Sequence, residues 1–139
     1  MSQRFSQKEA LIACWFLSIS SDRSIDKDEV FIKDKLMKMY DLYSTDWDRF
    51  MFKWAKWDGT NGFDKIFNHC KKILDDADYS IRVKALAGMW AIYAGEADYE
   101  TNEWSAEESK YYLEMEKALD VKRKDVVTEY IKIDLFVNK

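Results

Sequence analysis

One helix–loop–helix pattern occurs twice in this chain of 139 residues, and the repetition constrains the fold more than any other feature. The first copy spans about residues 7–42 and the second about residues 81–121. Each copy begins with an apolar helix around a tryptophan, Trp15 or Trp90, and continues through a polar loop into an amphipathic helix. Self-similarity of this kind is typical of stacked or pseudo-symmetric helical architectures.

The composition favours an all-α fold. The chain has no proline and only 4 glycines, which leaves little turn chemistry for a sheet of many strands. Hydrophobic residues make up 47% of the sequence, so a large core can form. The length suits one domain rather than two. We therefore predict a single compact all-α domain over residues 1–139.

Apolar periodicity and helix-start signals predict about seven helices. Ser6 and Glu9 form a capping box before the first helix. The first and fifth helices are apolar on nearly every face, so we expect them at the centre of the bundle, with their tryptophans buried. A turn is predicted at residues 58–62. The predicted helices cover approximately residues 7–20, 27–40, 46–57, 63–76, 81–94, 106–119 and 123–137.

The repeated pattern resembles the TerB-like tellurite-resistance family, in which an Ala-rich helix precedes Ala-Asp-Gly-x-Ile-x-x-x-Glu and an amphipathic helix. Asp22, Ile25 and Glu29 match that motif in the first copy, while Arg23 replaces its glycine. The second copy keeps Glu108 after a longer loop and lacks a clear match to the aspartate. The resemblance implies an all-helical, non-catalytic protein linked to stress responses, divalent cations and membrane-associated complexes.

The loop of the second copy carries oxygen ligands at the spacing of an EF-hand-like loop. They occupy positions 1, 3, 5, 7 and 12 of a twelve-residue window, the pattern that wraps Ca²⁺. Thr101 stands at the sixth position, where such loops need glycine. The sequence thus predicts a weak Ca²⁺ or Mg²⁺ site, to which Asp22 could add a ligand; the alternative is a solvated acidic loop. The five loop ligands are Glu96, Asp98, Glu100, Asn102 and Glu107.

The predicted third helix is rich in aromatic residues. Trp47, Trp54 and Trp57 recur at helical spacing over residues 47–57, opposite charged side chains. A stripe of this period first indicates burial. Exposed tryptophans would instead anchor a protein partner or hold the helix at a membrane interface. Both interpretations stay open from the sequence.

Other features argue against several function classes. A net charge of −4 with dispersed basic residues does not favour nucleic-acid binding. His69 and the cysteines Cys14 and Cys70 suggest neither a catalytic pair nor a zinc site. No signal-peptide pattern is present, so we expect a cytoplasmic protein. We predict a non-enzymatic binding or adaptor module with a weak cation site. The alternative is an interaction subunit that docks through helix 47–57 on a larger assembly, which could be membrane-associated.

Overall fold

The computed structural model describes residues 4–20, 27–60, 62–95 and 110–138. These residues form seven α-helices and no strand, which confirms the all-α prediction. The helices are α1 (Gln7–Ser20), α2 (Lys27–Met39), α3 (Ser44–Thr60), α4 (Gly62–Asp75), α5 (Tyr79–Gly95), α6 (Lys110–Leu119) and α7 (Arg123–Val137).

The predicted capping box at the start of α1 is confirmed. The backbone N–H of Ser6 donates to Oε1 of Glu9 at 2.7 Å, and the backbone N–H of Glu9 donates to Oγ of Ser6 at 3.1 Å. Two amides that the helix itself cannot pair are thereby satisfied. Phe5, just before the box, is buried against the core. The chain therefore enters α1 in a fixed direction.

The third helix is longer than predicted at both ends. At its start, the backbone N–H of Tyr43 donates to Oδ2 of Asp46 at 2.9 Å, so the helix begins at Ser44. At its end it continues through Gly59, and the turn predicted at residues 58–62 is wrong over most of its length. A glycine inside a helix costs only about 1 kcal/mol, which packing can offset. The break comes at Gly62, whose φ of 77° suits glycine.

The core lies where α1 and α5 pack together. Helices α2, α3 and α4 also pack against α1, while α2, α6 and α7 pack against α5. Leu11, Trp15 and Leu86 are buried as expected. The expectation that Trp90 is buried is wrong: its ring is half-buried and lies against Tyr112 and Tyr130 at the edge of the core.

Each copy of the pattern has a left-handed aspartate shortly after its amphipathic helix. Asp41, after α2, has φ 56°, and Asp120, after α6, has φ 51°. No other non-glycine residue in the described part of the chain has a positive φ. In each case the next helix begins three residues later, at Ser44 or Arg123. Superposition of the complete copies, residues 7–42 on 81–121, stays a prediction.

Candidate partner-binding surface around the third helix

The predicted cation ligands lie outside the described residues. They are Asp22 in the first loop and Glu96, Asp98, Glu100, Asn102 and Glu107 in the second. Within the part that is described, no group of three His, Cys, Asp or Glu side chains is arranged to hold a metal ion. The cation site therefore stays a prediction.

The aromatic stripe of α3 has an inner face that belongs to the core. Phe50 is fully buried. Trp47 and Trp54 are half-buried, and both rings contact Phe16 of α1 edge-on, with centroids 5.7 Å and 4.7 Å away. Edge-to-face contacts of this kind stabilise aromatic pairs beyond the area that they bury. The two tryptophans thus combine a packing role with an edge that reaches solvent. Trp57 lies in the same helix, and its side chain is outside the described part.

A tight turn joins the end of α2 to the start of α3. The backbone N–H of Leu42 donates to the carbonyl of Met37 at 2.8 Å, across the left-handed residue Asp41. This is the Schellman arrangement, in which the residue after the left-handed position bonds back to the last helical turn. Aspartate tolerates the left-handed conformation better than most residues other than glycine. The turn therefore ends α2 and fixes the direction in which the chain leaves it.

A cleft of about 660 Å³ opens between α2 and α3 beside this turn. Its volume is in the range of small-ligand and side-chain pockets. Apolar and aromatic groups share the walls with charged ones. The lining residues are Lys33, Asp34, Met37, Lys38, Asp41, Leu42, Tyr43, Ser44 and Trp47.

Lys33 is the unusual residue of the cleft, because it is only 8% exposed. Lysine is almost never buried to this extent unless its charge is compensated. Its Nζ lies 4.0 Å from the ring centroid of Trp47, a cation–π contact, and 2.6 Å from Oδ1 of Asp34. The side chain of Asp34 is 63% exposed, so this carboxylate is free to exchange with solvent or with a ligand. Lys33 thus places a fixed positive charge in the cleft wall.

Sequence pattern alone does not mark Lys33 as a functional residue. The helical spacing does place Lys33 on a core-facing side of α2, because positions 33, 36, 37 and 40 share one face of the helix. Leu36 and Met37 are buried on that face. A lysine among core positions indicates either a charge that the fold itself compensates or a binding site, and periodicity alone does not distinguish the two.

A second depression, of about 450 Å³, lies on the other side of α3, next to the start of α1. Nζ of Lys53 bonds to Oε1 of Glu9 at 2.7 Å and to the carbonyl of Arg4 at 2.9 Å. Burial raises the pKa of Glu9, but hydrogen bonds from Lys53 and Ser6 outweigh it, so the net pKa lies below its usual value. Glu9 therefore stays ionised and fixes Lys53 in the floor of the depression.

Two large aromatic side chains are exposed beside these hollows, one just before the start of α3 and one on α3 itself. Tyr43, at the edge of the cleft, is 62% exposed, and Phe52, at the edge of the second depression, is 64% exposed. Lys56 lies over the Phe52 ring, with its Nζ 4.3 Å from the centroid. We call the region formed by Tyr43, Trp47, Phe52 and the two hollows the α3 surface.

Neither Cys14 nor Cys70 supplies a reactive thiol to the α3 surface. Cys14 and Cys70 are both fully buried, and burial raises the pKa of each thiol. The thiol of Cys14 donates to Sδ of Met89 at 3.2 Å. A buried thiol with a raised pKa stays protonated at neutral pH and is a poor nucleophile.

Comparison with protein-family models, curated proteins and solved structures finds no match to this chain. The TerB-like resemblance therefore stays an expectation from sequence motifs. Among the helices that are described, none is both long and apolar enough to cross a membrane.

Proposed function

We propose that this chain is a non-enzymatic protein-binding module that docks a partner on the α3 surface. The observation that carries the proposal is the exposure of Tyr43 and Phe52 beside two hollows on either side of one helix. Large aromatic anchors next to concave, partly apolar surface are typical of binding hot spots. Phe52 lies on a helix whose inner face is fixed in the core, and Tyr43 lies in the tight turn that leads into it, so both anchors are presented with little loss of entropy on binding.

The charges around the cleft suit a partner that contributes an acidic group. Among the side chains that the structure describes, Lys33 pairs with the exposed carboxylate of Asp34 and lies over the ring of Trp47. A partner carboxylate that replaces Asp34 would keep the ion pair and gain burial. This polar contact would fix the orientation of the partner, while Tyr43 and Phe52 supply most of the affinity.

Paired surface variants test this proposal. Replacing Tyr43 and Phe52 by serine should weaken partner capture at least tenfold, which corresponds to about 1.4 kcal/mol. The matched control replaces Ile131 and Leu135, which are 52% and 67% exposed on α7. Helix α7 packs against α5 and α2 and carries no part of the α3 surface. Equal binding losses in both double variants would refute the proposal, as would unchanged binding in the Tyr43 and Phe52 variant.

We also propose a weak Ca²⁺ or Mg²⁺ site in the loop of residues 96–108. Its support is the spacing of five oxygen ligands in the sequence, with Asp98 and Glu107 at the third and twelfth positions. A bound cation would draw the carboxylates together and constrain the connection between α5 and α6. Thermal unfolding with and without each cation tests this second proposal independently of partner binding.

A further inference from the structure

The segment before α1 is held in place by side chains from α3 and α4. Phe5 is only 2% exposed, and its ring packs against Phe50 and edge-on against His69, with centroids 5.9 Å and 5.2 Å away. The backbone N–H of Phe5 donates to Nε2 of His69 at 3.0 Å. Lys53 of α3 holds the preceding carbonyl, that of Arg4. His69 therefore both covers the Phe5 ring and accepts a bond from its backbone.

This bond requires a particular protonation state of His69. A neutral imidazole has one N–H donor and one bare nitrogen that accepts. Since Nε2 accepts the N–H of Phe5, the ring must be neutral with its proton on Nδ1. Protonation of Nε2 turns the acceptor into a donor, and two N–H groups then point at each other. The bond to Phe5 cannot survive that change.

The charges around the imidazole make its protonation still less favourable. Burial lowers the pKa of His69 below its usual value, and Arg4, Lys72 and Lys53 lower it further. These cations come from three places: the segment before α1, α4 itself and α3. Glu9 of α1 pairs with Lys53 and offsets part of this positive charge. A proton that does arrive on His69 therefore repels the segment that carries Arg4.

We propose that His69 is an acid-sensitive latch, whose neutral ring keeps Phe5 in the core and whose protonation releases Phe5. The release is confined to Phe5, because neither the bond from Lys53 to the Arg4 carbonyl nor the bonds between Ser6 and Glu9 involve His69. Acidification thereby uncovers one side of Phe50, which also packs against Trp47 and Trp54 of the α3 surface. The latch does not depend on whether that surface binds a partner.

The chain contains a single histidine, so its ring signals can be assigned without ambiguity. Nuclear magnetic resonance of ¹⁵N-labelled protein can follow the His69 ring and the Phe5 amide together, from about pH 8 to about pH 5. We expect the amide to lose its hydrogen-bonded shift with the midpoint of the ring, below the usual histidine value. Its exchange protection, corrected for the intrinsic rate, should fall at least tenfold. A Phe5 amide that stays protected while His69 titrates would overturn the proposal.

The variant H69Q separates the latch from a simple packing role. The side-chain oxygen of glutamine can accept the Phe5 N–H and does not titrate, so protection of Phe5 should persist to about pH 5. Loss of protection in H69Q with the wild-type midpoint would assign the effect to another group and refute the latch. If H69Q does not fold, the wild-type titration decides alone.

Discussion

The matched tryptophans Trp15 and Trp90 occupy different environments. Trp15 of α1 is 0% exposed, stacks on Tyr40 of α2 and meets α5 at Gly88. Trp90 of α5 is half-buried against the tyrosines of α6 and α7. The same residue in a repeated sequence motif is thus a core residue in one copy and a residue at the edge of the core in the other.

A single side chain illustrates why the copies diverge. A Cβ atom at Gly88 would lie 1.9 Å from Nε1 of Trp15, so only glycine leaves room for this indole. The residue that matches Gly88 in the first copy is Ala13. If the α1–α5 pair were symmetric, Trp90 would meet the methyl group of Ala13 and find less room. Local sequence similarity therefore does not guarantee equivalent packing.

The largest expected effect is a difference between the two tryptophans. Trp15→Ala should destabilise the fold by about 3–5 kcal/mol, because it removes a fully buried indole and leaves a cavity. Trp90→Ala should cost roughly half as much, since part of its ring already contacts solvent. Urea unfolding monitored by circular dichroism measures both. Equal losses would mean that the copies are equivalent after all.

Gly88→Ala should destabilise the protein by about 3 kcal/mol, because the added methyl group overlaps Trp15. The reciprocal change Ala13→Gly is the control and should cost only about 1 kcal/mol, mainly through lost helix propensity. Adding Trp15→Phe to Gly88→Ala should make the combined loss smaller than the sum, since the smaller ring relieves the overlap. Additive losses would show that the two residues do not compete for space.

The two loops should differ in their response to cations. At 100 times Kd, Ca²⁺ or Mg²⁺ should stabilise the wild type by about 2.7 kcal/mol, as linkage requires. Replacing Asp98 and Glu107 by alanine should abolish this gain, whereas Asp22→Ala should leave most of it. Thermal melts at several millimolar cation provide the measurement. An unchanged wild-type melting curve would eliminate the cation site.

Acid should destabilise the fold through His69. Its folded pKa is lowered, so between that pKa and the usual 6.5 the unfolded chain binds more protons than the folded one. The stability that neutral His69 contributes is therefore present above pH 6.5 and is lost as pH falls toward the folded pKa. Urea midpoints for wild type and H69Q between about pH 7.5 and 5 measure this, and the wild type should lose more. Parallel curves for the two proteins would remove His69 as the cause.

The smallest expected effect concerns the two left-handed aspartates. Asp41→Gly and Asp120→Gly should each stabilise the fold by at most about 0.5 kcal/mol, because relief of the positive φ is partly offset by unfolded-state entropy. Similar changes at both positions would strengthen the case for a structural repeat. Opposite signs would show that the turns differ in more than their φ angles.

The sequence predicted the helices better than it predicted the surface. Capping at Ser6 and Glu9 and the apolar faces of α1 and α5 are local signals, so helix type, number and approximate bounds follow from them. The cleft depends on how α2 and α3 meet at Asp41, and the burial of Lys33 depends on Trp47 across that cleft. The bond between Phe5 and His69 joins residues 64 positions apart, which no local pattern reveals.

The most direct test of the binding proposal is site-specific photo-crosslinking in cells, with one photoreactive residue placed at position 52 and another at position 135. Both native side chains are exposed, Phe52 on the α3 surface and Leu135 on α7. We predict one discrete adduct from position 52 that Tyr43→Ser weakens, and no such adduct from position 135. The same adducts from both positions, or an adduct from position 135 alone, would contradict docking on the α3 surface.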